Sequence, residues 1–338
     1  MSERASGGDI FKPEKQCSAW PEGYGRLVFE SLDSTLSEAA RRAADLTGPL
    51  WILADEQTAA RGRRGRSWAT PKGNFASALI MRRTEAPGIA ALRSFVASLA
   101  LRRAFVRVTG DDGAFALKWP NDVLLNGGKV AGILLENIGD HLAIGIGVNL
   151  AHAPGADQVE AGALRPVSIV GETGLVITTA KFLDALAIEY ALLETQFTTF
   201  GFASIRTAWL AHAARLGEEI VARTMRDETR GIFEDVDELG CLILRTPKGR
   251  VAITAADVFF LRLWRGPFDA FGDRLRKYEY CLFDLGRHQV HRNMAHINRM
   301  AAHGRPVLCV AEHLDAVPEG RGGYHGCDHQ LDRATRGF

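Results

Sequence analysis

What most limits the folds open to this 338-residue chain is a pair of stop signals between residues 115 and 136. An apolar run from Phe115 to Trp119 meets Pro120, which has no N–H to give a strand ladder, and Asn121 and Asp122 then turn the chain. Val123 to Leu125 and Val130 to Glu136 follow as two strands joined by Asn126-Gly127-Gly128, a strong hairpin signal. The hairpin carries Lys129 to a defined place, and Gly132 leaves room for a ligand beside the backbone. Taken alone, Lys129 reads as an ordinary solvent-facing residue next to a turn.

A second segment changes that reading. Residues 60–68, ARGRRGRSW, hold four arginines and two glycines with no apolar period. Glycines let backbone approach a ligand, and guanidinium groups match phosphate oxygens with forked, charge-assisted hydrogen bonds, so the segment reads as an anion-binding loop. By itself it is also compatible with a solvated basic turn or a nucleic-acid patch. The formal net charge of +1 and sequence pI near 7.7 speak against bulk nucleic acid as the main partner and make the arginines a local device.

With 46% hydrophobic content, the chain can bury one sizeable core plus a smaller module. No segment approaches the roughly 20 apolar residues of a membrane span, and the N-terminus has no signal-peptide run, so a cytoplasmic location and no membrane partner are expected. Cys17, Cys241, Cys281, Cys309 and Cys327 are odd in number and lack a CxxC pair, which fits reduced thiols. Residues 1–25 are polar and broken by Gly7, Gly8, Pro13 and Pro21, as in a flexible arm. From a first strand at Arg26 to Phe29, short β runs alternate with helices over Leu36 to Leu46, Ala90 to Val108 and Ala180 to Phe197. Residues 214–261 switch to short strands (Glu219 to Arg223, Leu242 to Arg245, Val251 to Thr254) separated by turns, the pattern of a small β barrel.

Taken in order, ARGRRGRSW, KWPND (Lys118 to Asp122), GGKVAG (Gly127 to Gly132) and GIGVNL (Gly145 to Leu150) resemble the catalytic domain of biotin protein ligases over about residues 26–260. The resemblance implies an α+β fold. Its mixed sheet with flanking helices, similar to class II aminoacyl-tRNA synthetases, would span 26–213 and be followed by an SH3-like barrel over 214–261. It places Ser34, Thr35, Gln57, Arg61, Gly62, Arg63, Lys129 and Gly132 around biotin. Arg63, Arg66, Trp68, Asn121, Asp122, Lys129 and Asn149 fall on the ATP or adenylate side, with Arg63 and Lys129 as the catalytic pair. Biotin and ATP are the implied substrates, Mg²⁺ accompanies the phosphates near Asp122, and a biotin carboxyl carrier domain is the implied acceptor. Exposed sheet edges leave a homodimer open.

That assignment makes chemical sense of the residue types. Activating a carboxylate with ATP brings two anions together, and preorganised cations such as Arg63 and Lys129 stabilise the developing charge by about 3–4 kcal/mol per well-placed donor. Neither a GxSxG nor a Walker A loop is present, and none is required when the final nucleophile is the acceptor's lysine. The segment 58–74 is expected to be mobile without ligand and to order over the adenylate, with Trp68 as an apolar latch or an anchor of the loop's end.

The sequence departs from the family pattern at Leu36, Ala60 and Ala256. Of these, Ala60 matters most if a positive φ is needed there. Three alternatives remain: a lipoate or other acyl-protein ligase on the same scaffold, a catalytically impaired biotin or adenylate binder, and a DNA-binding regulator, for which too little chain precedes Arg26. Residues 262–338 match nothing in the family and read as a weakly ordered extension or as sequence acquired through a lost stop codon or shifted frame. Their His325, Cys327 and His329 lack the second ligand pair a structural zinc site needs.

Overall fold

The computed structural model describes residues 20–260, apart from 67, 69, 156, 157, 160–162, 225 and the Arg63 side chain. Most of the expected arm, all of the extension with its HxCxH cluster, and every cysteine except the buried Cys241 lie outside the described residues.

The hairpin forms where its turn chemistry demands. Strands β5 (Asp122–Leu125) and β6 (Gly128–Ile138) pair antiparallel across Asn126 at φ 50° and Gly127 at φ 75°, the left-handed pair that Asn-Gly tolerates best. A second tight turn returns β6 onto β7 (His141–Val148). Beyond it lie β3 (Phe75–Arg82), β2 (Leu50–Gln57) and β1 (Gly25–Leu32), with β4 (Phe115–Lys118) at the other edge, in the order β1-β2-β3-β7-β6-β5-β4. Only β1 and β2 run parallel, linked through helix α1 (Thr35–Arg42), so the sheet is mixed.

The two faces of this sheet are covered unequally. On one face α3 (Arg93–Thr109), preceded by the short α2 (Pro87–Ala91), packs with α5 (Thr179–Phe200) and α6 (Phe202–Leu210) over Trp51, Phe75, Leu79, Phe105, Phe182, Tyr190 and Trp209. The short α4 (Ile169–Thr173) follows the strand β7 loop. On the other face α1 covers only a small cluster of Leu36, Ala39, Ile52, Ala78, Ile80 and Ala143. The strand positions beside that cluster are Gly132, Gly145 and Gly147, with Gly132 and Gly147 directly paired, so the sheet there presents bare backbone.

Strands β8 (Glu219–Arg223), β9 (Glu228–Val236), β10 (Leu242–Thr246), β11 (Gly249–Ile253) and β12 (Asp257–Phe260) form a second, antiparallel sheet in the order β11-β10-β9-β8-β12. Its Ile220, Phe233, Leu242 and Leu244 continue the main core. The junction is specific as well as apolar: Trp119 Nε1 donates to Gly240 O at 3.0 Å, and Arg206 binds Asp235 and the Val236 carbonyl.

Candidate active site

The turn before α1 is held by its neighbours. Gln57, at the end of β2, accepts hydrogen bonds from Thr35 N and Oγ1 at 2.8 and 3.1 Å, and its Nε2 donates to Thr70 at 3.2 Å. Asp33 accepts from Ser34 N and, through both oxygens, from Arg41; the Arg41 hydrogen bonds dominate in holding its pKa down to about 2. Ser34, Thr35 and Gln57 are thereby held side by side at the cavity wall. Leu36, one of the departures, is buried and fills the space over Gly145, where an added Cβ would stand 2.7 Å from its Cδ1.

The arginine loop folds back on itself. Gly62 N donates to Arg66 O at 2.7 Å and Trp68 N to Ala60 O at 3.1 Å, around a 3-10 turn at Arg63–Gly65. The left-handed residues are Arg64 at φ 57° and Gly65 at φ 72°, while Ala60 is not among the positive-φ residues, so alanine there costs no backbone strain. Arg61 makes a forked pair to Glu136 of β6 at 3.0 and 2.8 Å and also reaches Ser37, so its guanidinium braces the loop stem against the sheet. Arg64 and Arg66 reach across to Asp257 of β12 at 2.6 and 3.2 Å. The Arg63 side chain lies outside the described residues.

Trp68 ends the loop against the glycine platform. A Cβ on Gly147 would stand 2.5 Å from Trp68 Cε2 and Nε1, and one on Gly132 3.3 Å from Cζ3. Lys129 Nζ lies 5.7 Å from the same ring and 2.7 Å from Asp122 Oδ1. The other Asp122 oxygen is 3.5 Å from Lys118 Nζ, which also lies 5.8 Å from the Phe260 ring. Burial pushes the Lys118 pKa down, the nearby Lys129 adds to this, and Asp122 opposes it. Asn121 and Asn149 donate their amide N–H groups to the carbonyls of Ile133 and Val167, bracing the strand ends that wall the site.

Most of the side chains that the sequence singled out border one cavity of about 860 Å³. Ser34, Thr35, Gln57, Arg61, Gly62, Arg66, Trp68, Asn121, Asp122, Lys129, Gly132 and Asn149 all line it, and its volume suits a ligand of nucleotide size. Sequence reasoning passed over three charged partners: Lys118, Glu136 and Asp257. Lys118 carried a signal, since it is a lone charge closing an apolar strand inside a motif already singled out. Glu136 and Asp257 carried none, because their partners are 75 and more than 190 residues away.

A sheet with a bare glycine platform, an arginine loop above it and a lysine on a hairpin beside it is chemically suited to bringing two anions together, and the family matches identify the class as the biotin and lipoate protein ligases. Residues 28–149 match the Biotin/lipoate A/B protein ligase family, and residues 216–261 match the Biotin protein ligase C terminal domain. A biotin--[acetyl-CoA-carboxylase] ligase of Paracoccus denitrificans is 55% identical over 68% of this chain and 97% of its own length. The chain belongs to the biotin protein ligase family. Among solved structures, the Aquifex aeolicus biotin protein ligase in complex with biotin and ATP shares the fold, with a TM-score of 0.62 at 24% identity over 69% of this chain and 97% of that one. The Leishmania major biotin protein ligase in complex with biotinyl-5-AMP aligns with a TM-score of 0.52 at 25% identity, over 70% of this chain and all of the other.

Proposed function

We propose that the chain is an ATP-dependent biotin protein ligase that works in two steps within this single cavity. A biotin carboxylate oxygen bonds to the α-phosphorus of ATP, the bond to the β-phosphate oxygen breaks, and pyrophosphate leaves. The ε-amine of a lysine on a carboxyl carrier domain then attacks the acyl carbon, the bond to the phosphate oxygen breaks, AMP departs and the amine's proton passes to solvent. The observation that carries this reading is that Lys129 and the arginine loop share one cavity, so cations from two elements meet where two anions must approach.

The residues divide the work. Ser34, Thr35, Gln57 and the Gly62 and Gly132 backbones enclose the acid, with Arg61 fixing the loop that covers it. Lys129, oriented by Asp122, and Arg63 stabilise charge on the α-phosphoryl oxygens. Arg66, Trp68, Asn121 and Asn149 border the nucleotide. Magnesium would enter with the nucleotide's phosphates, and Asp122, the carboxylate proposed to lie near them, is shared between two ammonium groups. The metal supplies charge neutralisation on the phosphates.

We further propose residues 26–213 as the catalytic domain and 214–261 as the C-terminal domain. The open edge strand β1, where Val28 is exposed, is where a second sheet edge would pair, whether from the acceptor or from a second copy. A cytoplasmic setting, the one expected from the sequence, is part of this proposal. No helix among the described residues is long and apolar enough to cross a membrane.

Pyrophosphate release with ATP and biotin, repeated with lipoate, tests the reading. Biotin-dependent release that is lost in Lys129→Ala and Arg63→Ala is expected; release driven by lipoate instead of biotin would overturn the choice of acid.

A further inference from the structure

Asp257 has no role in the reaction above, yet two loop arginines converge on it. Arg64 Nη1 and Arg66 Nη2 both donate to its Oδ2, at 2.6 and 3.2 Å. The Asp257 side chain is only 18% exposed and forms part of the cavity wall with Val258, Phe259 and Phe260 of β12. Lys118, which also lines the cavity, feels the same carboxylate. Arg64 reaches it from a left-handed backbone, a conformation that is unfavourable for a non-glycine residue and persists when surrounding contacts hold it. A carboxylate offers a guanidinium the same oxygen pattern that a phosphate does.

We propose that Asp257 is a positioning residue that stands in for the outer phosphates of the nucleotide. It holds Arg64 and Arg66 at the cavity wall, yields Arg66 when a triphosphate enters, and takes Arg66 back as pyrophosphate leaves. Arg64 stays with Asp257 throughout and anchors the loop to the C-terminal sheet. The second sheet is therefore a working wall of the nucleotide site. The carboxylate competes with every phosphate that seeks Arg66, so it weakens retention of pyrophosphate as much as it weakens capture of ATP. This inference rests on the ATP-dependent reading of the cavity.

The test uses the full chain with Asp257→Asn and Asp257→Glu, reading ATP KM, kcat and the inhibition constant of pyrophosphate in the adenylation step. Because the pairs are partly exposed, removing their charge is worth about fivefold in phosphate affinity. Asp257→Asn is expected to lower both ATP KM and the pyrophosphate inhibition constant about fivefold without raising kcat. Asp257→Glu restores both values, and in an Arg66→Met background the Asn substitution shifts each by less than about twofold, the remainder being direct repulsion. Unchanged constants in Asp257→Asn, or a higher ATP KM, would overturn the inference. Thermal unfolding controls for stability, and Asp257→Ser repeats the measurement if the Asn variant unfolds. Absence of biotin-dependent pyrophosphate release in the unaltered protein would instead sink the ligase reading itself.

Discussion

Gly147→Ala adds one methyl group at the point where the arginine loop rests on the sheet. The new Cβ would lie 2.5 Å from Cε2 and Nε1 of Trp68 and 2.9 Å from Cζ2. Carbon atoms pack best at about 3.5–4.0 Å, so the indole must withdraw by about 1 Å. Trp68 N is bonded to Ala60 O, so the displacement passes into the loop that carries Arg61 and Arg66. A misplacement of about 1 Å at a reacting centre costs about a hundredfold in rate, or ~2.7 kcal/mol of barrier.

The fold itself should tolerate the change. Gly147 is not among the glycines with positive φ, and alanine in an extended strand loses less backbone entropy on folding than glycine does. Biotin-dependent pyrophosphate release should therefore fall about a hundredfold in kcat/KM, while Tm moves by only a few degrees. Trp68→Ala removes the obstacle, so adding Gly147→Ala to it should change the rate by less than about twofold, a non-additivity that isolates this one contact. Near-normal kcat/KM in Gly147→Ala alone, or full additivity in the double variant, would show that the indole's seat does not govern the loop.

Two further outcomes concern stability. Arg93 is buried beneath α5, where it binds Glu85 and Glu194 and lies 5.1 Å from the Phe197 ring; Arg93→Leu strands two carboxylates and should destabilise the protein by about 3–5 kcal/mol, lowering Tm by about 10 °C, and an unchanged Tm would refute the pairing. Asp33, held at a pKa of about 2 in the folded protein against an ordinary 3.8, stabilises the fold above pH 4 and loses that contribution as pH falls toward 2. The stability gap between the unaltered protein and Asp33→Asn, measured by urea titration, should be below ~1 kcal/mol because the pair is half exposed, and should close across that interval; a gap that widens on acidification would contradict the sign.

What the sequence revealed tracks how local each cause is. The β5–β6 hairpin was legible because Asn126 and Gly127 accept φ angles that most residues resist. The helix expected over Ala90 to Val108 splits instead at Leu92, since Pro87 starts its own short turn one residue after the N-cap Ala86. Strand β9 escaped notice because its sequence, ETRGIFEDV, is rich in charge. In the sheet those charges find cross-strand partners, Glu228 with Arg223, Arg230 with Glu219 and Glu234 with Arg250, and these appear only once register is known. Strand β12 was read only as part of the family's ending, although it supplies Asp257 to the cavity. The glycine-rich GIGVNL segment was visible as a motif, but why Gly147 must be glycine depends on an indole almost eighty residues earlier.

The same distance effect explains how a site for two anions coexists with a near-neutral chain. Arg61, Arg66, Lys118 and Lys129 line the cavity and Arg64 joins Arg66 at Asp257; each is matched to Glu136, Asp257 or Asp122. Among the described residues these five cations share three carboxylates, so positive charge is concentrated locally to attract a nucleotide without the broad basic field that recruits nucleic acid. Each carboxylate also holds its cation in a fixed geometry before any ligand arrives, which spares the reaction the entropy of gathering flexible side chains. The arrangement has a cost: a carboxylate close enough to orient a cation also repels the phosphate that the cation is meant to receive. Asp122 escapes the conflict because Lys118 and Lys129 share its charge from two sides. Asp257 sits beside two arginines of a loop and can resolve it only by letting one of them go.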